Sequence, residues 1–102
     1  MRRRGTLPQS PYSCVYFLEL NNGHIYVGST DDLRRRVHSH RSGRVLSTKR
    51  LLPAKLKSYV AVENEPIARS MERYFKSGSG KAFAKKRFLG QSMKLSETDG
   101  SA

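Results

Sequence analysis

Cleaving a phosphodiester requires an activated water, stabilisation of charge on the phosphoryl oxygens and help for the departing oxygen. The side chains here that could meet those needs are the phenols of Tyr16 and Tyr26, the guanidinium of Arg36, the imidazole of His40 and the carboxylate of Glu72. Glu72 would suit Mg²⁺ or Mn²⁺, hard ions often held by one or two carboxylates while waters and substrate phosphate complete the octahedron. Its ordinary reading is a half-exposed glutamate paired with Lys76 at i+4, worth about 0.2–0.5 kcal/mol. Each tyrosine, taken singly, is a good strand residue that buries its ring. As a general base a tyrosine faces an obstacle, because at a pKa of about 10 only on the order of one in a thousand is ionised at neutral pH. Arg36 or the metal would have to favour the phenolate, and Arg36 could also grip the scissile phosphate with its planar fork. His40 could relay a proton or fix Tyr16 by a hydrogen bond.

Positioning these groups requires particular elements. Residues 12–20 read as a strand rich in aromatic and branched residues, residues 25–29 as a second, and Asn21-Asn22-Gly23 as the turn between them. Register decides whether the tyrosines can cooperate, since a one-residue slip moves every side chain to the other face. A two-residue turn would place Tyr16 and Tyr26 on opposite faces. A three-residue loop with Gly23 at a left-handed position pairs Leu20 with His24, Leu18 with Tyr26 and Tyr16 with Gly28, so both phenols share a face. Gly28 would then leave room opposite Tyr16 for a substrate phosphate.

Thr30, Asp31 or Asp32 can cap a following helix that Gly43 ends, with Leu33 and Val37 as its narrow apolar stripe. Arg36 and His40, four residues apart, sit on one side of it beside the core. Residues 44–54 are basic and irregular, and 56–62 read as a third strand containing Tyr59. Asn64 caps a helix with Pro66 in its first turn, which runs to about Lys76 before Ser77-Gly78-Ser79-Gly80 breaks it. On that helix Ile67, Met71 and Tyr74 make one apolar row, and Glu72 falls between Ala68 and Phe75 on the next. A short basic helix from about 81 to 89 closes the domain. The expected class is α+β, a three-stranded, mostly antiparallel sheet flanked by helices in the order ββαβαα.

The chain's 102 residues suffice for one domain, expected over 12–90 between flexible tails at 1–11 and 91–102. Twenty Lys and Arg against eight Asp and Glu give a formal charge of +12, which attracts polyanions and points to a phosphate backbone as partner. The candidates for holding it are Gly28, Arg34, Arg35, Lys49, Arg50, Lys85, Lys86 and Arg87. A single cysteine excludes an internal disulfide and fits a reducing, cytoplasmic location. No apolar run approaches the length of a membrane span, so no membrane partner is expected. Gly78-Ser79-Gly80-Lys81 lacks the first glycine of a phosphate loop, so no nucleotide cofactor is expected.

Cys14-Val15-Tyr16, Tyr26-Val27-Gly28, the run Tyr-Val-Gly-Ser-Thr-Asp-Asp-Leu-Arg-Arg-Arg-Val-His-Ser-His and the later Ala-Arg-Ser-Met-Glu-Arg-Tyr-Phe-Lys together resemble the GIY-YIG nuclease family, in its small stand-alone bacterial form. The resemblance spans roughly residues 12–89. Cys14-Val15 stands where the first motif has Gly-Ile, and Val27 where the second has isoleucine. The resemblance implies that Tyr16, Tyr26, Arg36 and Glu72 converge around one divalent ion, with Glu72 as its ligand, and that His40 matches a histidine found in many members. The implied activity is metal-dependent endonucleolytic hydrolysis of DNA, with RNA not excluded. The alternative is a binding module of the same fold that has little or no turnover. Nothing in the sequence reads bases, so shape-selective or nonspecific nicking by a monomer or homodimer is expected.

Overall fold

The computed structural model describes residues 12–89, and the expected tails lie outside the described residues. Strands β1 (Ser13–Glu19) and β2 (Ile25–Thr30) form the expected hairpin, followed by helix α1 (Leu33–Arg41), a single 3₁₀ turn (Lys49–Leu51) and strand β3 (Lys55–Val62). Helices α2 (Glu65–Lys76) and α3 (Gly78–Ala84) come next, and a π-helical turn (Lys85–Leu89) ends the described chain. The sheet has the order β2-β1-β3, and both pairings are antiparallel.

Parity fixes the hairpin. Tyr16 pairs with Gly28 and Leu18 with Tyr26. The Leu20 amide donates to the His24 carbonyl at 2.9 Å, and Gly23 adopts φ +86°, as a three-residue loop requires. Side chains of β1 therefore divide cleanly between the two faces. Cys14, Tyr16, Leu18 and Leu20 pack with Leu33 and Val37 of α1 and with Ala54, while Val15 and Phe17 pack with Val27, Ala68, Phe75, Ala84 and Leu89. The central strand is thus buried on both sides, with α1 on one face and α2 and α3 on the other.

Local signals set the helix ends. The Asp32 carboxylate accepts from the Arg35 amide and the Asn64 side chain from the Ile67 amide, each satisfying an amide that a helix start leaves free. Of the three residues able to cap α1, Asp32 does so. The Ser-Gly run behaves differently from expectation: it stops α2 but also starts α3, three residues earlier than the expected 81–89 helix. Ser77 bonds the Tyr74 carbonyl and its hydroxyl accepts from the Gly80 amide, so one serine closes one helix and caps the next. Gly80 is buried against the Tyr74 backbone, where a Cβ would collide with the Tyr74 carbonyl. On α2 the rows are also unequal. Ala68 and Phe75 are buried, while Ile67 and Tyr74 remain 41% and 45% exposed.

Candidate active site

The antiparallel pairing of β1 with β2 carries Tyr16 and Tyr26 to the α1 face, their ring centroids 6.3 Å apart. His40, fully buried on α1, meets both rings edge-on, at 5.6 Å from Tyr16 and 4.9 Å from Tyr26. The Tyr16 hydroxyl lies 2.9 Å from His40 Nε2, and Arg36 Nε donates to the same hydroxyl at 3.4 Å. On the far side of the ring His40 Nδ1 lies 2.9 Å from Thr48 Oγ1. Thr48, buried just before the 3₁₀ turn, went unnoticed in the sequence because the basic, irregular segment around it has no periodicity to mark an inward residue.

Gly28 departs from its expected use. The space it leaves open is taken by the Tyr16 hydroxyl, which would clash with any Cβ there. The glycine seats the phenol, and it is buried instead of offering a surface to phosphate.

Glu72 approaches from α2, on the other layer. Its Oε1 accepts from the Ser29 hydroxyl at 2.6 Å and its Oε2 from Lys76 Nζ at 2.8 Å. The i+4 pair with Lys76 is therefore formed, and Ser29 adds a tie to the outer strand β2 at the residue next to Gly28. Ser29 carried no role in the sequence reading, although it stands inside the quoted Tyr-Val-Gly-Ser run. Ser29 and Arg36 line one cavity of about 480 Å³, together with Ser13, Thr30, Arg35 and Glu65 among others. The acid's holder and the phenol's guanidinium partner thus open onto a common hollow across the end of the sheet.

Electrostatics divide the groups sharply. Burial pushes the Tyr16 phenol up to about 12, and the Arg36 hydrogen bond offsets only part of that rise. Arg36 alone therefore does not supply the phenolate. Burial, helped by the Arg36 charge, lowers His40 to about 4, so its ring is neutral at physiological pH. Partial burial works to raise the Glu72 pKa, but hydrogen bonds from Lys76 and Ser29 and the charges of Lys76 and Arg69 outweigh it and hold the carboxyl below its ordinary value. The Tyr16 contact keeps Arg36 firmly charged.

The basic candidates fall on both layers. Arg34 and Arg35 on α1, and Lys49 and Arg50 directly after Thr48, are exposed on the layer that covers the tyrosines. Lys85, Lys86 and Arg87 lie beyond α3 on the opposite layer, where Arg87 stacks over the Phe83 ring at 5.1 Å and Lys85 lines a separate groove with His24.

The GIY-YIG catalytic domain is the family whose pattern matches residues 12–87. This chain belongs to that family. It is similar to a UPF0213 protein of Bacillus cereus (strain ZK / E33L), 36% identical over 64 residues that cover 62% of this chain and 67% of the relative. The UPF0213 protein YsiG of Lactococcus lactis is 39% identical over 63 residues, 61% of each chain. The solution NMR structure of a UPF0213 protein from Bacillus halodurans superimposes with a TM-score of 0.52 at 30% identity, covering 85% of this chain and 99% of that one. The chain is accordingly a small nuclease-family protein, with nucleic acid as the substrate class its domain implies. No helix among the described residues is long and apolar enough to cross a membrane.

Proposed function

We propose that this GIY-YIG protein is a metal-dependent endonuclease that nicks DNA, acting by shape or without preference, in the cytoplasm. The observation that carries the reading is the cavity that Arg36 and Ser29 both line: Tyr16 and Glu72 lie outside that lining, on opposite layers, and each reaches it through a hydrogen bond to one of those two residues. Arg36 would clamp the scissile phosphate. Among the described residues no group of three or more His, Cys, Asp or Glu side chains gathers to hold a metal. Glu72 would then be the main protein ligand, and a lone ionised carboxylate suits Mg²⁺ or Mn²⁺ that arrives with substrate phosphate and water. When bound, such an ion supplies Lewis-acid polarisation of a phosphoryl oxygen and acidifies a bound water.

Magnitudes limit what the tyrosine does at rest. Burial pushes the phenol up to about 12 and the imidazole down to about 4, so the proton they share belongs to the phenol. His40 therefore fixes Tyr16 in place and does not strip it, and the phenol stays neutral until cationic charge or substrate enters. Lys76 must release or share Glu72 for a cation to bind, which couples metal entry to the loss of one exposed ion pair.

The test is a panel of branched, flapped, duplex and single-stranded DNA and RNA, with Mg²⁺, Mn²⁺ or chelator. Wild-type protein is expected to nick DNA only with metal, and Glu72→Gln to lose cleavage while binding persists. Binding without cleavage across the panel would instead support the inactive binding module.

A further inference from the structure

We infer that Thr48 is a positioning residue for the Tyr16–His40 pair: it holds the His40 proton on Nδ1 and so keeps Nε2 free to accept from the Tyr16 hydroxyl. The direction of each hydrogen bond follows from what each group can donate. A guanidinium has no acceptor, so Arg36 Nε–H must donate to the Tyr16 oxygen. The hydroxyl proton then goes to the other partner within reach, His40 Nε2 at 2.9 Å. A neutral imidazole carries one N–H, and with Nε2 accepting it must sit on Nδ1, facing Thr48 Oγ1 at 2.9 Å. The Thr48 hydroxyl completes the chain by donating to the Val45 carbonyl at 3.5 Å. Every link has one donor and one acceptor from Arg36 to Val45.

Burial makes this ordering costly to disturb. Tyr16, His40 and Thr48 are each at most 1% exposed, so water cannot readily substitute for a missing partner. Without an acceptor at residue 48 a buried Nδ1–H loses its partner and only the Tyr16 hydroxyl still favours that tautomer, while the form with Nε2–H, which free imidazole favours, would point a donor at the phenol. The tyrosine hydroxyl would then have to turn away from His40 or lose a partner.

The effect on catalysis rests on the nuclease reading above, but the tautomer does not. Long-range ¹H–¹⁵N spectra of the His40 ring at pH 7 should show Nδ1 protonated and Nε2 bare in wild-type protein and in Thr48→Ser. Thr48→Val, which keeps the shape and removes the hydroxyl, should shift the ring to Nε2–H. Single-turnover nicking should fall about 10- to 100-fold in Thr48→Val with substrate affinity unchanged, and recover in Thr48→Ser. Wild-type protein with Nε2–H would overturn the inference whether or not the valine variant folds. Unchanged tautomer and rate in a folded Thr48→Val would overturn it equally. A wild-type protein that nicks nothing yet shows Nδ1–H, lost on Thr48→Val, would sink the nuclease reading and leave Thr48 in its role.

Discussion

His40 takes a neutral ring into the core, so acid acts on the fold through it. Its folded pKa of about 4 lies below the ordinary 6.5, which means the unfolded chain binds that proton first. The stability this represents is intact above pH 6.5 and drains away as the pH falls from about 6.5 to about 4, by up to about 3 kcal/mol. Denaturant melts at pH 7, 5.5 and 4 should show that loss in wild-type protein and a flatter profile in His40→Phe; parallel profiles would remove His40 as the acid-sensitive group. Arg36→Ala should lower turnover by about 10²- to 10³-fold with little change in affinity, measured as kcat against KM on one nicked substrate. The sequence placed Arg36 and His40 one turn apart, and helical geometry delivered that. It could not show that His40 would be buried to the same depth as Leu33, because its ring is enclosed by Tyr16 and Tyr26 from the sheet and met on Nδ1 by Thr48, a residue outside any repeating pattern.

Among the elements, the hairpin was the most legible, because only one loop length lets both tyrosines share a face and Gly23 supplies the backbone angle it needs. The α2–α3 junction was the least legible. Two glycines in one serine-rich run look like a breaker, yet their surroundings give them opposite roles. Gly80→Ala should destabilise the fold by about 1–3 kcal/mol or more, since its Cβ would meet backbone that cannot step aside. Gly78→Ala, with open space around it and no positive φ, should be neutral or stabilising by up to about 1 kcal/mol. Thermal melts of the two variants separate these outcomes. The amphipathic reading of α2 found Ala68, Phe75 and the position of Glu72 between them, but it overrated Ile67 and Tyr74, which stay exposed while Met71 of the same row packs against the core.

At the scale of the whole molecule, the +12 charge was plain in composition and its distribution was not. The sequence treated Lys49, Arg50, Lys85 and Lys86 alike, while the fold sets the first two on the layer of the phenols and the last two across the sheet from it. If DNA lies along the layer of the phenols, replacing Lys49 and Arg50 with alanine should lower the slope of log K against log salt by about 2. The Lys85 and Lys86 pair should change it far less, and equal losses in fluorescence-anisotropy titrations would mean that nucleic acid wraps both layers. The molecule also has a built-in reporter. Its one thiol, Cys14, sits in the middle strand at 1% exposure beside Tyr16, and burial raises its pKa. A thiol-labelling reagent can therefore reach it only when α1 lifts from the sheet or the strands themselves part, so the labelling rate counts openings of the layer that covers the phenol, with no residue substituted.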